Sequence, residues 1–102
     1  MEQVNVIGME GETLKIALSG DIDLSNAEAF YNEIMTAYVA TPANVTFVCG
    51  ELNFIDSTTL GTFVKIFKTI EKNGHVMRLT ELQSKIKKLF VICSLDRIMQ
   101  LA

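Results

Sequence analysis

At residues 53–61, Asn-Phe-Ile-Asp-Ser-Thr-Thr-Leu-Gly, an apolar strand gives way to a helix start rich in side-chain oxygens. Behind that junction Leu60, Phe63, Val64, Phe67 and Ile70 recur at three- and four-residue steps, while Lys65, Lys68, Glu71 and Lys72 mostly fall away from the stripe. This is the period of a surface helix with one face in a core. Asp56 or Ser57 is placed to cap it, because the first four N–H groups of a helix lack intrahelical acceptors and Asp and Ser are favoured there. Ser57 falls in the first turn, at the positive end of the macrodipole, where a phosphate is partly accommodated.

The rest of the chain alternates between the two periods. Residues 4–7 and 14–18 read as strands joined by a turn-prone segment at 8–12, which suggests an antiparallel hairpin. Asp23 or Ser25 can cap a helix whose stripe is Ala27, Phe30, Tyr31, Ile34, Met35 and Tyr38, ending before Pro42. The nearly continuous apolar run at 45–49 is expected of a central strand covered on both faces. Asn73-Gly74 stops the motif helix, residues 75–79 give a fourth strand, and Leu82, Ile86, Leu89, Phe90 and Cys93 mark a third helix. Residues 98–101 add a short helix or an edge strand. The expected class is α/β, a mixed sheet of four to five strands with three to four helices linked by right-handed crossovers, in one domain spanning 1–102.

Composition removes several functions. The chain has 102 residues, 49% of them hydrophobic, enough for a core without disulfides or metal. Nine Lys and Arg against 12 Asp and Glu leave a net charge of −3, so the basic footprint of a nucleic-acid binder is missing. There is no apolar run long enough to span a membrane and no signal-peptide pattern, so no membrane partner and a cytoplasmic location are expected. Cys49 and Cys93 sit in apolar company typical of buried free thiols, and His75 reads as a solvated loop residue. No metal or cofactor is expected.

Phe54-Ile55-Asp56-Ser57-Thr58, followed by Leu60-Gly61, resembles the signature of STAS-domain anti-sigma factor antagonists, in which Asp-Ser-Ser/Thr-Gly-Leu-Gly follows an aromatic-aliphatic pair. Leu18-Ser19-Gly20-Asp21-Ile22-Asp23 is similar to the same family's segment after the second strand. The similarity extends over nearly the whole chain, through Asn73-Gly74-His75 and the helix at Ile86–Phe90. It implies the STAS fold and makes Ser57 the phosphoacceptor, with Thr58 a secondary candidate. Two differences stand out. Thr59 replaces the usual Gly and adds a β-branched side chain near the approach of a kinase, so Thr59→Gly is expected to speed phosphorylation without altering the fold. Cys93-Ser94-Leu95 replaces Thr-Gly-Leu, so the exit from the third helix is expected to be built differently.

The resemblance further implies an anti-sigma factor antagonist. Its unphosphorylated form binds a serine-kinase anti-sigma factor and frees the sigma factor, phosphorylation at Ser57 ends that contact, and a serine phosphatase resets the switch. Partner contacts are expected at Asp21, Asp23, Asp56, Ser57, Thr58 and Thr59, with Asp23 positioning the motif loop and Asp21 on the partner surface. The basic stretch Gln83–Lys88 reads as a solvated helix surface. The chain has no Gly-rich phosphate loop, so it is read as a kinase substrate and not as an enzyme. A nucleophilic Ser57 would need a base, and His75 is the only histidine. The alternative within the family is a non-switching scaffold module of a stress-signalling or transporter-associated assembly.

Overall fold

The computed structural model describes all residues, 1–102. Its elements are β1 (Val4–Glu10), β2 (Thr13–Ile22), α1 (Ala27–Ala40), β3 (Asn44–Ile55), α2 (Ser57–Lys72), β4 (Met77–Thr80), α3 (Ser84–Ile92), a 3-10 turn (Leu95–Arg97) and β5 (Gln100–Leu101). The strands form one sheet in the order β1-β2-β3-β4-β5, with β1 antiparallel to β2 and all other pairs parallel. Residues 98–101 therefore supply the edge strand of the two alternatives.

That order fixes where the helices go. Each parallel connection moves one strand further in the same direction, and right-handed crossovers that all step the same way lay their helices on the same face. The burial along the strands agrees. Leu14, Ile16 and Leu18 on β2, Val45, Phe47 and Cys49 on β3, and Met77 and Leu79 on β4 are buried under the helices, while the residues between them are not. The expectation that β3 is covered on both faces is thus corrected. It is the central strand, yet Thr46, Val48 and Gly50 lie on an open face.

Phe63 on α2 joins the layers. Its ring meets Phe30 of α1 at 5.3 Å, Phe47 of β3 at 5.8 Å and Phe90 of α3 at 5.5 Å between centroids, each edge-on. Such edge contacts add about 0.5 to 1.5 kcal/mol per pair beyond the area they bury. α2 ends in a Schellman arrangement: Gly74 sits at φ 80°, and the N–H groups of Gly74 and His75 donate to Glu71 and Ile70. α3 leaves by similar means with Ser94 at φ 59°, so the serine takes up the left-handed turn that glycine adopts freely.

Two expectations about single residues are corrected. Cys49 is buried, and burial, followed by the nearby Glu81 charge, pushes its thiol up to about 12, but Cys93 is exposed because α3 ends at Ile92. His75 is half-buried, with Nδ1 2.6 Å from Tyr38 Oη. Burial raises the Tyr38 pKa, against an opposing hydrogen bond with the Asn73 side chain.

Because Phe63 is fully buried and shared by four elements, Phe63→Ala is expected to cost about 3 to 5 kcal/mol. A urea titration measures this; a loss below about 1 kcal/mol, the level of an ordinary point substitution, would show that the layers are joined elsewhere.

Candidate functional site

β2 and β3 end side by side, with Asp21 paired to Phe54 and Ile22 to Ile55, which brings the two motif segments to one rim of the sheet. Asp56 follows β3 as the N-cap of α2, with extended backbone. Its two carboxylate oxygens do different work. Oδ1 accepts the Thr59 N–H at 2.9 Å, closing the helix start, and Oδ2 accepts the Leu24 N–H at 2.9 Å from the β2–α1 turn. One side chain therefore staples two loops that are 32 residues apart in sequence. The Thr59 hydrogen bond first, then that of Leu24, hold the Asp56 carboxyl below the usual range against an opposing desolvation.

Thr59 provides the second tie. It is fully buried, and its Oγ1 donates to the Ile22 carbonyl at 2.6 Å. Oγ1 is also 3.0 Å from Asp56 Oδ1. A hydroxyl has one proton, and the shorter contact assigns it to Ile22. The expected partner contact by Thr59 is corrected: its side chain has no exposed surface and acts as an internal strut. Thr59→Gly would remove the hydroxyl contacts to Ile22 and Asp56.

Asp23 orders its own turn. Its Oδ1 accepts the Ser25 N–H at 2.9 Å and the Ser25 hydroxyl, its N–H donates to Asn26 Oδ1 at 2.8 Å, and Asn26 Nδ2 donates to the Asp21 carbonyl at 3.0 Å. Neither Asp23 nor Ser25 caps α1 directly. The helix starts after Asn26, whose side chain makes no cap bond to it, at Ala27, the first residue of the expected stripe. Asp21 is exposed at the rim.

Ser57 is the first residue of α2 and is exposed. Since Asp56 does the capping, the Ser57 hydroxyl is free to solvent. Thr58 is also exposed and opens on a groove between α1 and α2 with Leu24, Glu28 and Tyr31, where Lys65 Nζ lies 4.5 Å from the Tyr31 ring centre. His75 is at the other end of the sheet: Asn44, the first residue of β3, accepts the Val76 N–H at 2.9 Å, whereas Ser57 follows the last. The whole length of β3 separates them, so His75 cannot serve Ser57 as a base. No group of three or more His, Cys, Asp or Glu side chains is placed to hold a metal ion, and no helix is long and apolar enough to cross a membrane.

Two further residues were not singled out by the sequence. Leu24, in the turn after β2, is 75% exposed and Phe54, near the end of β3, 49% exposed. Their signals were present. Leu24 is an apolar residue in a turn otherwise made of Asp23, Ser25 and Asn26. Phe54 follows a break in the two-residue alternation of β3, where Leu52 and Ile55 are buried three apart alongside register shifts against β2.

Two outcomes test the staple. Thr59→Val keeps the shape and strands the Ile22 carbonyl, so it is expected to cost about 1 to 3 kcal/mol; an unchanged urea midpoint would remove the strut. For Asp56 the folded pKa is depressed, so its stabilisation is present above the unfolded value and is lost as pH falls through the folded one. Asp56→Asn is expected to be less stable than the native chain near pH 7, with the gap shrinking below about pH 3.9; a gap that stays constant on acidification would contradict the carboxylate's role.

Comparison with known proteins agrees with this architecture. The STAS domain family matches residues 4–102. The anti-sigma-B factor antagonist of Bacillus subtilis (strain 168) is 27% identical over 100 residues, covering 97% of this chain and 91% of that protein. A Thermotoga maritima crystal structure, of a candidate anti-sigma factor antagonist, superposes with TM-score 0.83 at 21% identity over 96% of this chain and 82% of the other. The Bacillus cell fate determinant SpoIIAA in its phosphorylated form gives 0.70 at 23% identity, over 97% and 90%. With a family match over nearly its full length, this chain belongs to the STAS domain family.

Proposed function

We propose that this chain is an anti-sigma factor antagonist, whose unphosphorylated form binds a serine-kinase anti-sigma factor through the face around Ser57 and releases the sigma factor. The observation that carries the reading is the placement of Ser57: an uncommitted, exposed hydroxyl at the first position of α2, directly after the Asp56 cap. A similar protein is named an anti-sigma-B factor antagonist and a fold relative is known in a phosphorylated form, which supports the assignment.

The physical logic of the switch is local. Phosphoserine brings about −1.5 to −2 charges at neutral pH. At the start of α2 it meets a partly favourable helix end, worth roughly 0.3 to 1 kcal/mol when exposed, so the phosphorylated chain stays folded. Against a partner the same group sits beside Asp56 and near Asp21, and its desolvation is uncompensated. A net loss of about 3 kcal/mol weakens binding roughly a hundredfold. Asp21, Ser57, Thr58, Leu24 and Phe54 form the contact surface, while Asp23 and Asp56 hold its two loops.

Mass spectrometry after incubation with ATP and a lysate of the source cells tests this reading, with Ser57→Ala as control. Phosphate on the peptide containing Ser57, absent from the control, is the expected result. A folded chain that is never modified there would favour the scaffold role instead.

A further inference from the structure

Away from the Ser57 rim, the free edge of β1 carries a feature that the fold leaves unused. β1 and β5 bound the sheet; β5 is blunted by being only two residues long, whereas β1 has seven. The sequence of β1 contains no lysine and no proline, residues that ordinarily guard an exposed edge, and Glu10 is its single charge. Val6, Ile7 and Met9 on it are 44%, 57% and 47% exposed. An apolar edge with unpaired N–H and C=O groups is a template for another strand.

The pairing of β1 with β2 shows which groups are free and which side each residue takes. The Gln3 carbonyl accepts the Ser19 N–H at 3.0 Å, so by alternation Val4 and Val6 turn their own N–H and C=O groups away from β2. At the other end Glu10 pairs with Thr13 across the two-residue Gly11–Glu12 turn, which makes that pair the hydrogen-bonded one and leaves Met9 facing outward. Val6 pairs with Ile16 and Met9 with Leu14, both buried, so Val6 and Met9 share the helix-covered side. Asn5 and Glu10, paired with Ala17 and Thr13, share the open side. The register shift between Val6 and Gly8 is what allows this: without the extra residue, Val6 and Met9 would lie on opposite sides.

We propose that β1 pairs antiparallel with β1 of a second copy, with Val6 opposite the partner's Met9 and Ile7 opposite the partner's Gly8. This register sets bulge against bulge, so the ladder runs the length of the strand; any other sets a bulge against regular strand and breaks it. It joins outward-facing groups to outward-facing groups, puts Val6 against Met9 twice on the helix-covered side, and puts Asn5 against Glu10 on the open side, so no like charges are opposed. An in-register parallel pairing would oppose Glu10 to itself. Because residue 6 meets residue 9 and residue 9 meets residue 6, the contact is isologous and closes at two copies. It joins the two five-stranded sheets into one, with the helices of both copies on the same face. Strand direction reverses across the axis, so the two Ser57 rims lie at opposite ends and one dimer offers both to separate partners. One strand pair hides less than the roughly 1,600 Å² of a standard interface, so the dimer is reversible. The pairing does not depend on what Ser57 does.

Sedimentation velocity of the full chain from micromolar to millimolar concentration tests the proposal. The expected result is a mass that rises with concentration to that of a dimer and no higher. Val6→Lys and Met9→Glu are each expected to weaken dimerisation about tenfold or more, because each sets a charge against an apolar side chain. An equimolar mixture of the two variants is expected to recover the dimer, since the introduced lysine then faces the introduced carboxylate while the second Val6–Met9 pair stays native. Both positions are exposed, and circular dichroism checks that the variants fold. A native chain that stays monomeric at millimolar concentration, growth beyond a dimer, a variant that dimerises like the native chain, or a mixture that associates no better than its components would each overturn the proposal.

Discussion

The edge-on contacts of Phe63 with Phe30, Phe47 and Phe90 are the constraint on which the remaining structure depends. They bind α2 to α1, to the central strand and to α3 at a single buried ring, so the three crossover helices move as one layer. The one-sided layer follows from crossovers that all step the same way, and it leaves the opposite face of the sheet open. Helix position is thereby set in the core, far from the rim where Ser57 lies, and the rim inherits a fixed helix start.

Asp56 converts that fixed start into a site. A carboxylate with two acceptor oxygens caps α2 with one and holds the Leu24 turn with the other, so the loop that follows β2 and the helix that follows β3 cannot separate without exposing an unpaired N–H. Thr59 closes the same gap from inside through the Ile22 carbonyl. The result is an exposed serine at a helix start held by ties to two separate loops. Because the cap is made by Asp56, Ser57 spends none of its hydrogen-bonding capacity on structure.

Much of this was legible in the residues. The three- and four-residue spacing from Leu60 to Ile70 fixed α2, Asn73-Gly74 fixed its end, and the adjacency of Asp56 and Ser57 gave the cap and the exposed hydroxyl as open alternatives that the structure assigned. The open sheet face was not legible, because the apolar run at 45–49 reads alike for a strand covered once or twice; Thr46 and Val48 differ from Phe47 only through the direction of the crossovers. Thr59 was misjudged for a similar reason. Position three of a helix faces outward or inward according to how the preceding loop turns, and that turn is set by Ile22 and Leu24, distant in sequence. Cys93 was placed on the buried stripe of α3, but the helix ends one residue earlier, with Ser94 left-handed.

The charges of the molecule are unevenly spread, with carboxylates around the Ser57 rim and lysines along α3, although the net charge is small. Under the proposed switch, phosphate on Ser57 would add charge where charge of the same sign is already present. The most direct test of the proposed switch is calorimetric titration of a serine-kinase anti-sigma factor from the source cells with the chain before and after phosphorylation at Ser57. The account expects binding by the unmodified form and an affinity about a hundredfold lower for the phosphorylated one, with both forms equally folded. Equal affinities would contradict it.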